Sequence, residues 1–430
     1  MTEPIPPGYK RTEIGIIPED WEVKRLGDVG EITGAGVDKK IRKNEIRVRL
    51  LNYMDIYKKD FLYNKEINFW TTTPQEKIEQ CSVKKGDVFF TPSSEMQTDI
   101  AHSAVAMEDM PGVVYSYHIV RFRLKENWDL KFRTYIFKTR DFLKQAETYA
   151  EGSGKRYVIS LKKFREFEIY YPPDIEEQRA IARVLSDFDR LIEALDELIE
   201  KKKMIKKGTM QELLTGKKRL PGFTGEWVRK RLGEVVDIVG GGTPDTKNPK
   251  YWGGEINWFT PTEIGKSKYV SESERKITDE GLKHSSAKIL PIGSILFTSR
   301  ATIGEVAILR KEATTNQGFQ SLIPKNIDNE FLYYLLIIIK RKFITKANGS
   351  TFLEITPSVI KDIELSLPPT LEEQHAIARV LSDMDAEIEA LEQKKEKYEM
   401  MKKGAMELLL TGKVRLKNYK VGDEENVVEE

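Results

Sequence analysis

EEQRAIARVLSD, at Glu176–Asp187, and EEQHAIARVLSD, at Glu372–Asp383, differ at one residue in twelve. Outward from this pair the halves of the chain keep matching. YPPDIEEQ (171–178) answers LPPTLEEQ (367–374), and MIKKGTMQELLTGKKRL (204–220) answers MMKKGAMELLLTGKVRL (400–416). At the front, DWEVKRLGDVGEITGAG (20–36) answers EWVRKRLGEVVDIVGGG (226–242), and GDVFFTPSS (86–94) answers GSILFTSRA (293–301). The offset is 196 residues at the matched pair and 206 at the front, so the lobes between differ in length. One architecture is used twice.

The repeated segment has the punctuation of a long helix. Asp174 and Thr370 follow Pro-Pro as N-caps, with Glu177 and Glu373 three residues on at capping-box spacing. Gly216 and Gly412 mark the far ends. About 40 residues at ~1.5 Å each make a rod of roughly 60 Å, which Gly208 and Gly404 are placed to kink. Ile181, Leu185, Phe188, Ile192, Leu195 and Ile199 step by 4, 3, 4, 3, 4. Ile377, Leu381, Met384, Ile388, Leu391 and then Tyr398 form the second stripe. This is the heptad seam of a coiled coil, and burying each such side chain contributes roughly 1.5–3 kcal/mol. The two rods are therefore expected to pack on each other, antiparallel, about a pseudo-twofold axis with a lobe at each end. KVRLKNYK after the second rod then returns to the IIPEDW that opens the first lobe.

Each lobe begins with a Trp-led segment and alternates apolar runs such as VFF and SILF with Gly-rich turns, which predicts short strands. Helices are predicted near Phe132–Ala150 and Phe331–Ala347. The fold class is α+β: two β-containing lobes, 1–173 and 217–369, and two long helices, 174–216 and 370–416. VGDEENVVEE (421–430) closes an acidic tail, 417–430, expected to be disordered.

At 430 residues, more than one domain is expected. Net charge is +2 although 32% of residues are charged, so any nucleic-acid surface must come from local patches. The single cysteine, Cys81, reads as a small core residue. The opening MTEPIPPGYKRTE has no apolar stretch of a secretory signal. The apolar run Phe331–Ile339 is short of the roughly 20 residues a membrane span needs. The expectation is a cytoplasmic protein without a membrane partner.

Enzyme signatures fail. GSGKR (152–156) has the look of a phosphate loop, but position 149 is Tyr and position 156 is Arg where Gly and Ser/Thr are needed. The four histidines (His102, His118, His284, His375) form no ligand pair at helical spacing, so no metal site is expected. There is no dinucleotide-binding glycine loop, no Asn-Pro-Pro-aromatic site for base methylation and no nuclease carboxylate cluster. No catalytic residue is assigned.

Basic loops are present instead. GAGVDKKIRKNEIRVR (34–49) carries six basic residues against two acidic ones, among them Lys39, Lys40, Arg42 and Lys43. EGSGKRYVISLKKFR (151–165) has five against one, including Lys155 and Arg156. TPSSEMQ (91–97) adds Ser93, Ser94 and Gln97. In the second lobe, GGGTPDTKNPKYWGG (240–254) supplies Thr243, Lys247 and Lys250. TSRATIG (298–304) supplies Ser299, Arg300 and Thr302, and NQGFQ (316–320) supplies Asn316 and Gln317. Ser350 lies in GSTFLEITP. Lys and Arg suit phosphates, while Ser, Thr, Asn and Gln suit base edges. Any one loop read alone is equally an ordinary solvated surface; their equivalent placement in two lobes favours DNA. The run KKKMIKK (201–207) is either a solvated helix face or a phosphate contact.

PP-x-x-EEQ entering each rod, TIGEVAI (302–308), NQGFQSLIP (316–324) and GSTFLEITPSVIKDIELSLPP (349–369) resemble the specificity subunits of type I restriction–modification enzymes. The resemblance spans residues 9–416. It implies that each lobe is a target-recognition domain reading one half of a bipartite, asymmetric duplex DNA site. It implies that the helices hold two methyltransferase (modification) subunits, and through them endonuclease/translocase (restriction) subunits, and set the half-site spacing. Cofactors are then none in this chain, with S-adenosylmethionine, Mg2+ and ATP belonging to the partners. The first lobe has DIAHSAVAM where the second has TIGEVAI. Glu176, Glu177, Gln178 and Arg183, with their repeats Glu372, Glu373, Gln374 and Arg379, lie largely off the seam and are expected to form the shared outer face for those partners. Two other readings stand beside this one: a specificity subunit serving a fused nuclease–methyltransferase, or a coiled-coil scaffold that never touches DNA.

Overall fold

The computed structural model describes residues 5–13, 15–348 and 353–417. The acidic tail from 421 and the candidate Ser350 lie outside the described residues. Two long helices run through the chain, α1 (Ile175–Leu213) and α2 (Leu371–Leu409). Two compact units divide it: Met1–Leu195 with Lys394–Glu430, and Asp196–Gln393. The division passes through both helices. Each unit thus holds one lobe, the first half of the helix leaving that lobe and the second half of the other helix.

In the first unit the helical halves are antiparallel: Lys402 of α2 pairs with Asp189 of α1, and Arg415, just past α2, with Glu177 at the start of α1. In the second unit Lys206 of α1 pairs with Asp385 of α2, and Arg219 with Glu373. The heptad residues Ile181, Leu185 and Leu195 are buried in the first unit, and Ile199, Ile377, Leu381 and Ile388 in the second. Phe188, Ile192, Met384, Leu391 and Tyr398 are half-buried.

Gly208 and Gly404 do not break the helices, which run on through them; a Cβ at either would meet open space. Gly216 and Gly412 are different. Both have φ +71°, a left-handed stop that only glycine adopts freely. A Cβ on Gly216 would come within 3.2 Å of the Trp227 ring, and one on Gly412 within 2.5 Å of Pro18. The helices end at Leu213 and Leu409, a few residues short of the predicted bounds, because the chain must turn there onto the Trp-led segment of a lobe.

At the other end, Asp174 accepts a hydrogen bond from the Glu176 N–H (2.9 Å) and Thr370 from the Glu373 N–H (3.3 Å), as N-caps do. The capping-box glutamates direct their carboxylates at arginines, Glu177 at Arg415 and Glu373 at Arg219.

Both lobes are built on the same five-stranded sheet. In the first the order is Gly30–Thr33, Val120–Leu124, Val88–Phe90, Ser103–Ala106, Phe61–Leu62. In the second it is Val236–Gly240, Gln320–Pro324, Ile295–Phe297, Val306–Leu309, Tyr269–Val270. In each, the pairings are antiparallel except the last, which is parallel. The uninterrupted apolar strands VFF and ILF sit at the centre because both their faces are covered. Phe90 joins the core containing Phe122, Phe137 and Phe164, while Phe89 points into a second core with Leu50 and Tyr115. Ile295 and Phe297 likewise enter one core and Leu296 another.

That second core lies under a smaller sheet. It is ordered Trp70–Thr73, Ile46–Leu51, Met110–Tyr115, Ser82–Val83 in the first lobe, and Arg275–Ile277, Trp252–Phe259, Ala313–Thr315 in the second. Each lobe closes by pairing a strand near its start with its last, Glu22–Arg25 with Glu168–Tyr171 and Val228–Arg231 with Glu364–Leu367. The predicted helices are Phe132–Ile136 with Arg140–Tyr149, and Asn329–Lys346. Among the described residues no helix is long and apolar enough to cross a membrane.

Candidate nucleic-acid interface

The antiparallel pairing brings the ends Thr33, Val120, Phe90 and Ser103 to one edge of the first lobe's main sheet. The loops leaving that edge are 34–45, 91–102 and 116–119. In the second lobe the corresponding loops are 241–251, 298–305 and 316–319. Candidate residues from scattered parts of the sequence therefore gather at one edge of each lobe.

In the first lobe Ser93 and Ser94 form a short strand against Arg156–Val158, which pairs in turn with Glu151–Ser153. The GSGKR segment is thus the tip of a β-hairpin, followed directly by a strand where a phosphate loop would require a helix. Gly152 is obligatory there: φ is +149° and a Cβ would stand 2.1 Å from the Arg156 carbonyl oxygen. Ser93, Ser94, Lys155 and Arg156 line an open groove of about 520 Å³ together with Tyr53 and Tyr57. Tyr57 stacks on Tyr53 (6.1 Å between centroids) and packs on His102 (4.6 Å). The sequence reading missed this aromatic wall, although YMDIY spaces its tyrosines one helical turn apart. Gln97 is not part of the groove wall: its amide donates to the Glu147 carbonyl (2.9 Å).

Lys39, Lys40, Arg42 and Lys43 are all exposed. Arg42 is the least available, held by Asp38 (2.6 Å) and facing Glu45 (3.5 Å); its hydrogen bond holds the Asp38 carboxyl below the ordinary range. The basic loop and the hairpin converge on His118. Burial lowers that imidazole's pKa, and the nearby charges of Lys39 and Arg156 lower it further.

In the second lobe the Thr243 hydroxyl donates to the Gln317 side-chain oxygen, tying the GGGTP loop to NQGFQ. Gly241 makes this approach possible, since a Cβ there would lie 1.9 Å from the Asn316 carbonyl oxygen. Gln317, Lys247, Lys250, Arg300 and Thr302 are exposed, and Arg300 pairs with Glu354 (2.8 Å). Asn316 turns its side-chain oxygen inward to the Gly318 N–H (2.8 Å). Ser299 departs from expectation. It is fully buried and its hydroxyl donates to the Gly318 carbonyl (3.1 Å), so it joins two loops internally and presents nothing to a ligand.

The helix starts bring a second correction. Glu177 and Glu373 are each 1% exposed, and Gln178 and Gln374 are also buried, so none of the four offers an outer face. Glu177 receives Arg415 through Nε (2.7 Å) and Nη2 (2.8 Å), while Arg415 also grips Asp20 (2.7 and 2.8 Å). Glu373 receives Arg219 the same way (2.5 and 2.7 Å). Gln178 accepts from the Asp129 N–H (2.9 Å), and Gln374 from the Asp328 N–H (3.1 Å). A Tyr–Asp–Lys group also recurs. Tyr135 donates to Asp189 (2.5 Å), which holds Lys402; Tyr334 donates to Asp385 (2.5 Å), which holds Lys206. The readable signal was the offset of 196, which relates Arg219 to Arg415 and Asp189 to Asp385.

What remains on the surface is Glu176, Glu372 and Arg379, with Arg183 half-buried. Exposed apolar residues missed from the sequence join them: Met204 and Ile205 on α1, and Met400 and Met401 at the matching positions of α2.

A repeated sheet that presents polar and basic loops at one edge, mounted on paired helices, defines a two-domain recognition protein. A family model for the type I restriction modification DNA specificity domain matches residues 18–202 and again 224–400. The chain belongs to this family, as a type I restriction–modification specificity subunit with one recognition domain in each half. Over 95% of its length and 97% of the relative's, it is 28% identical to the putative type I restriction enzyme MjaX specificity subunit of Methanocaldococcus jannaschii. It is 42% identical to the MjaIX specificity subunit of the same organism, over 43% of each chain. Two solved structures share the fold. The type I system S subunit from M. genitalium has a TM-score of 0.54 at 16% identity, covering 90% of this chain and 96% of that one. A chain from a study of type I complex assembly and conformational transition reaches 0.60 at 19%, covering 93% and 99%.

Proposed function

We propose that each lobe reads one half of a bipartite, asymmetric duplex DNA site in the cytoplasm. The helices dock two methyltransferase subunits and, through them, endonuclease/translocase subunits. The chain does no chemistry itself; S-adenosylmethionine, Mg2+ and ATP act in the partners. The observation that carries this reading is the shared sheet edge: the framework under the loops is the same in both lobes, while the side chains on the loops differ. In the first lobe the readers are drawn from Ser93, Ser94, Lys155 and Arg156, with Lys39, Lys40, Arg42 and Lys43 on phosphates. In the second they are drawn from Thr243, Asn316, Gln317, Arg300 and Thr302, with Lys247 and Lys250 on phosphates. Each unit carries its own partner-docking residues: Glu176 and Arg183 with Met400 and Met401 in the first, Glu372 and Arg379 with Met204 and Ile205 in the second.

The test is an exchange of lobes. A chain carrying residues 20–171 and 226–367 in swapped positions, assembled with its modification subunits, should protect a site whose two half-sequences have changed places. Protection of the original site would refute readout by individual lobes.

A further inference from the structure

Arginine stacked on tryptophan occurs on the smaller sheet of both lobes. In the first lobe the Arg47 guanidinium lies 4.4 Å from the centre of the Trp70 ring. In the second, Arg275 lies 3.6 Å from Trp252 and 5.5 Å from Trp258. The strands correspond, Ile46–Leu51 with Trp252–Phe259 and Trp70–Thr73 with Arg275–Ile277, but the residues have changed places. Arginine stands on the first strand of one lobe and on the second strand of the other. Two lobes of diverged sequence thus reach one pairing by different routes.

The pairing is more than a packing staple. Arg47 and Arg275 are exposed, as is Trp70 at 45%. Among the described residues no carboxylate neutralises either guanidinium, in contrast to Arg42 between Asp38 and Glu45. Each stack also adjoins its lobe's basic loop. The Arg42 N–H donates to Thr72 (2.8 Å) and the Thr71 hydroxyl to the Asp38 carbonyl (3.0 Å), fixing loop 38–43 beside Trp70. The Trp252 indole N–H donates to the Asp245 carbonyl (3.2 Å), fixing the loop that carries Lys247 and Lys250. A guanidinium held over an indole face is restrained without using up its N–H donors, so it loses less further entropy when an anion binds them. Phosphate suits it, because two N–H groups can bind two phosphate oxygens at once. Phosphates are the same in every sequence, so such a group is worth keeping in both lobes while base-reading loops diverge.

We propose that Arg47 on Trp70 and Arg275 on Trp252 are phosphate clamps, one per lobe, gripping the DNA backbone alongside each half-site. This rests on the reading that the lobes bind duplex DNA. The test uses the full chain with its modification subunits, binding a duplex that contains the target and one that lacks it, between 50 and 200 mM salt (concentrations of the order at which such slopes are resolved). Arg47→Gln and Arg275→Gln should each lower the log–log salt slope by about 0.9. Across the fourfold rise in salt the variant would then lose about 3.5-fold less affinity than the parent. Binding to both duplexes should weaken by the same factor, leaving the preference for the target unchanged. Arg47→Lys, which keeps the charge but not the guanidinium, should keep the parental slope while losing part of the affinity for both duplexes. Parental slopes in both Gln variants, or a preference altered at particular base pairs, would overturn the clamps while leaving DNA recognition intact. A parent chain with no preference for any duplex would overturn the underlying reading as well.

Discussion

Replacing Arg415 with alanine tests whether the repeated glutamate is a structural clasp. The Glu177 side chain is 1% exposed, and Arg415 supplies two of the hydrogen bonds to its carboxylate, the third being the long contact from the Leu416 N–H (3.4 Å). Removing one partner of a buried pair leaves a desolvated charge, at a cost of roughly 3–5 kcal/mol. The variant also loses the contact of the guanidinium with the Trp21 face (5.6 Å). With a urea dependence of about 2 kcal/mol per molar, the unfolding midpoint of the first unit should fall by roughly 2 M. Tryptophan fluorescence follows this, since Trp21 lies against the clasp. Combining Arg415→Leu with Glu177→Leu should recover much of the loss, because no charge is then stranded. A fall of under about 0.5 M in the single variant would refute the reasoning. Asp20 adds a pH signature. Its hydrogen bond from Arg415 holds its folded pKa well below the ordinary 3.8. Its contribution is therefore present above that value and lost as pH falls through the folded one; Arg415→Ala should flatten this acid limb.

Other expectations follow from the same contacts. Burial, and then the charge of Asp385, push Tyr333 up to about 12, and burial with a hydrogen bond to Asp385 raises Tyr334 in the same direction. Because the folded values are raised, the stability they contribute is intact below about 10 and drains away as pH climbs through 12. Urea midpoints of the full chain should drop between pH 9 and 12, and a flat profile would contradict this. Substituting Met400 and Met401 by serine, or Glu372 and Arg379 by alanine, should weaken co-purification with the modification subunit while leaving melting unchanged. Full retention of the partner would remove these residues from the docking surface. Inserting helix-forming residues between Ile192 and Lys206 should change the number of unread bases between half-sites, as mapped by methylation protection. A constant gap would end the notion that helix length sets the spacing.

Periodicity and punctuation in the sequence located the helices well because their causes are local. Heptad spacing, Asp174, Thr370, Gly216 and Gly412 each act within a turn or two of where they stand. The central strands VFF and ILF were visible as continuous apolar runs for a related reason: both faces are covered, so no alternation was needed. What the sequence could not show was pairing across long separations. Glu177 meets Arg415 and Trp252 meets Arg275 through folded geometry, and no spacing rule connects them. The same limit explains Ser299, which sits among polar loop residues in TSRATIG yet lies beneath Gly318 in space. The glycines at 208 and 404 misled in the opposite direction. A propensity cost of about 1 kcal/mol is too small to break a helix whose flanking turns are held by packing and ion pairs.

The near identity of the two helix starts therefore has a different cause from the one their surface spacing suggests. Glu177 belongs to the first repeat and Arg415 to the second; Arg219 belongs to the first and Glu373 to the second. Each clasp joins a residue of one copy to a residue of the other, so neither copy can drift alone without stranding a buried charge. A lobe's loops have no such counterpart and are free to change. Docking falls to residues repeated on the surface, Met204 with Met400 first among them: both are exposed, matched across the offset, and too apolar to be kept at the surface for solubility. If either methionine pair proves indifferent to partner binding while Arg219→Ala abolishes it without unfolding the second unit, the assignment of clasp and docking surface is reversed.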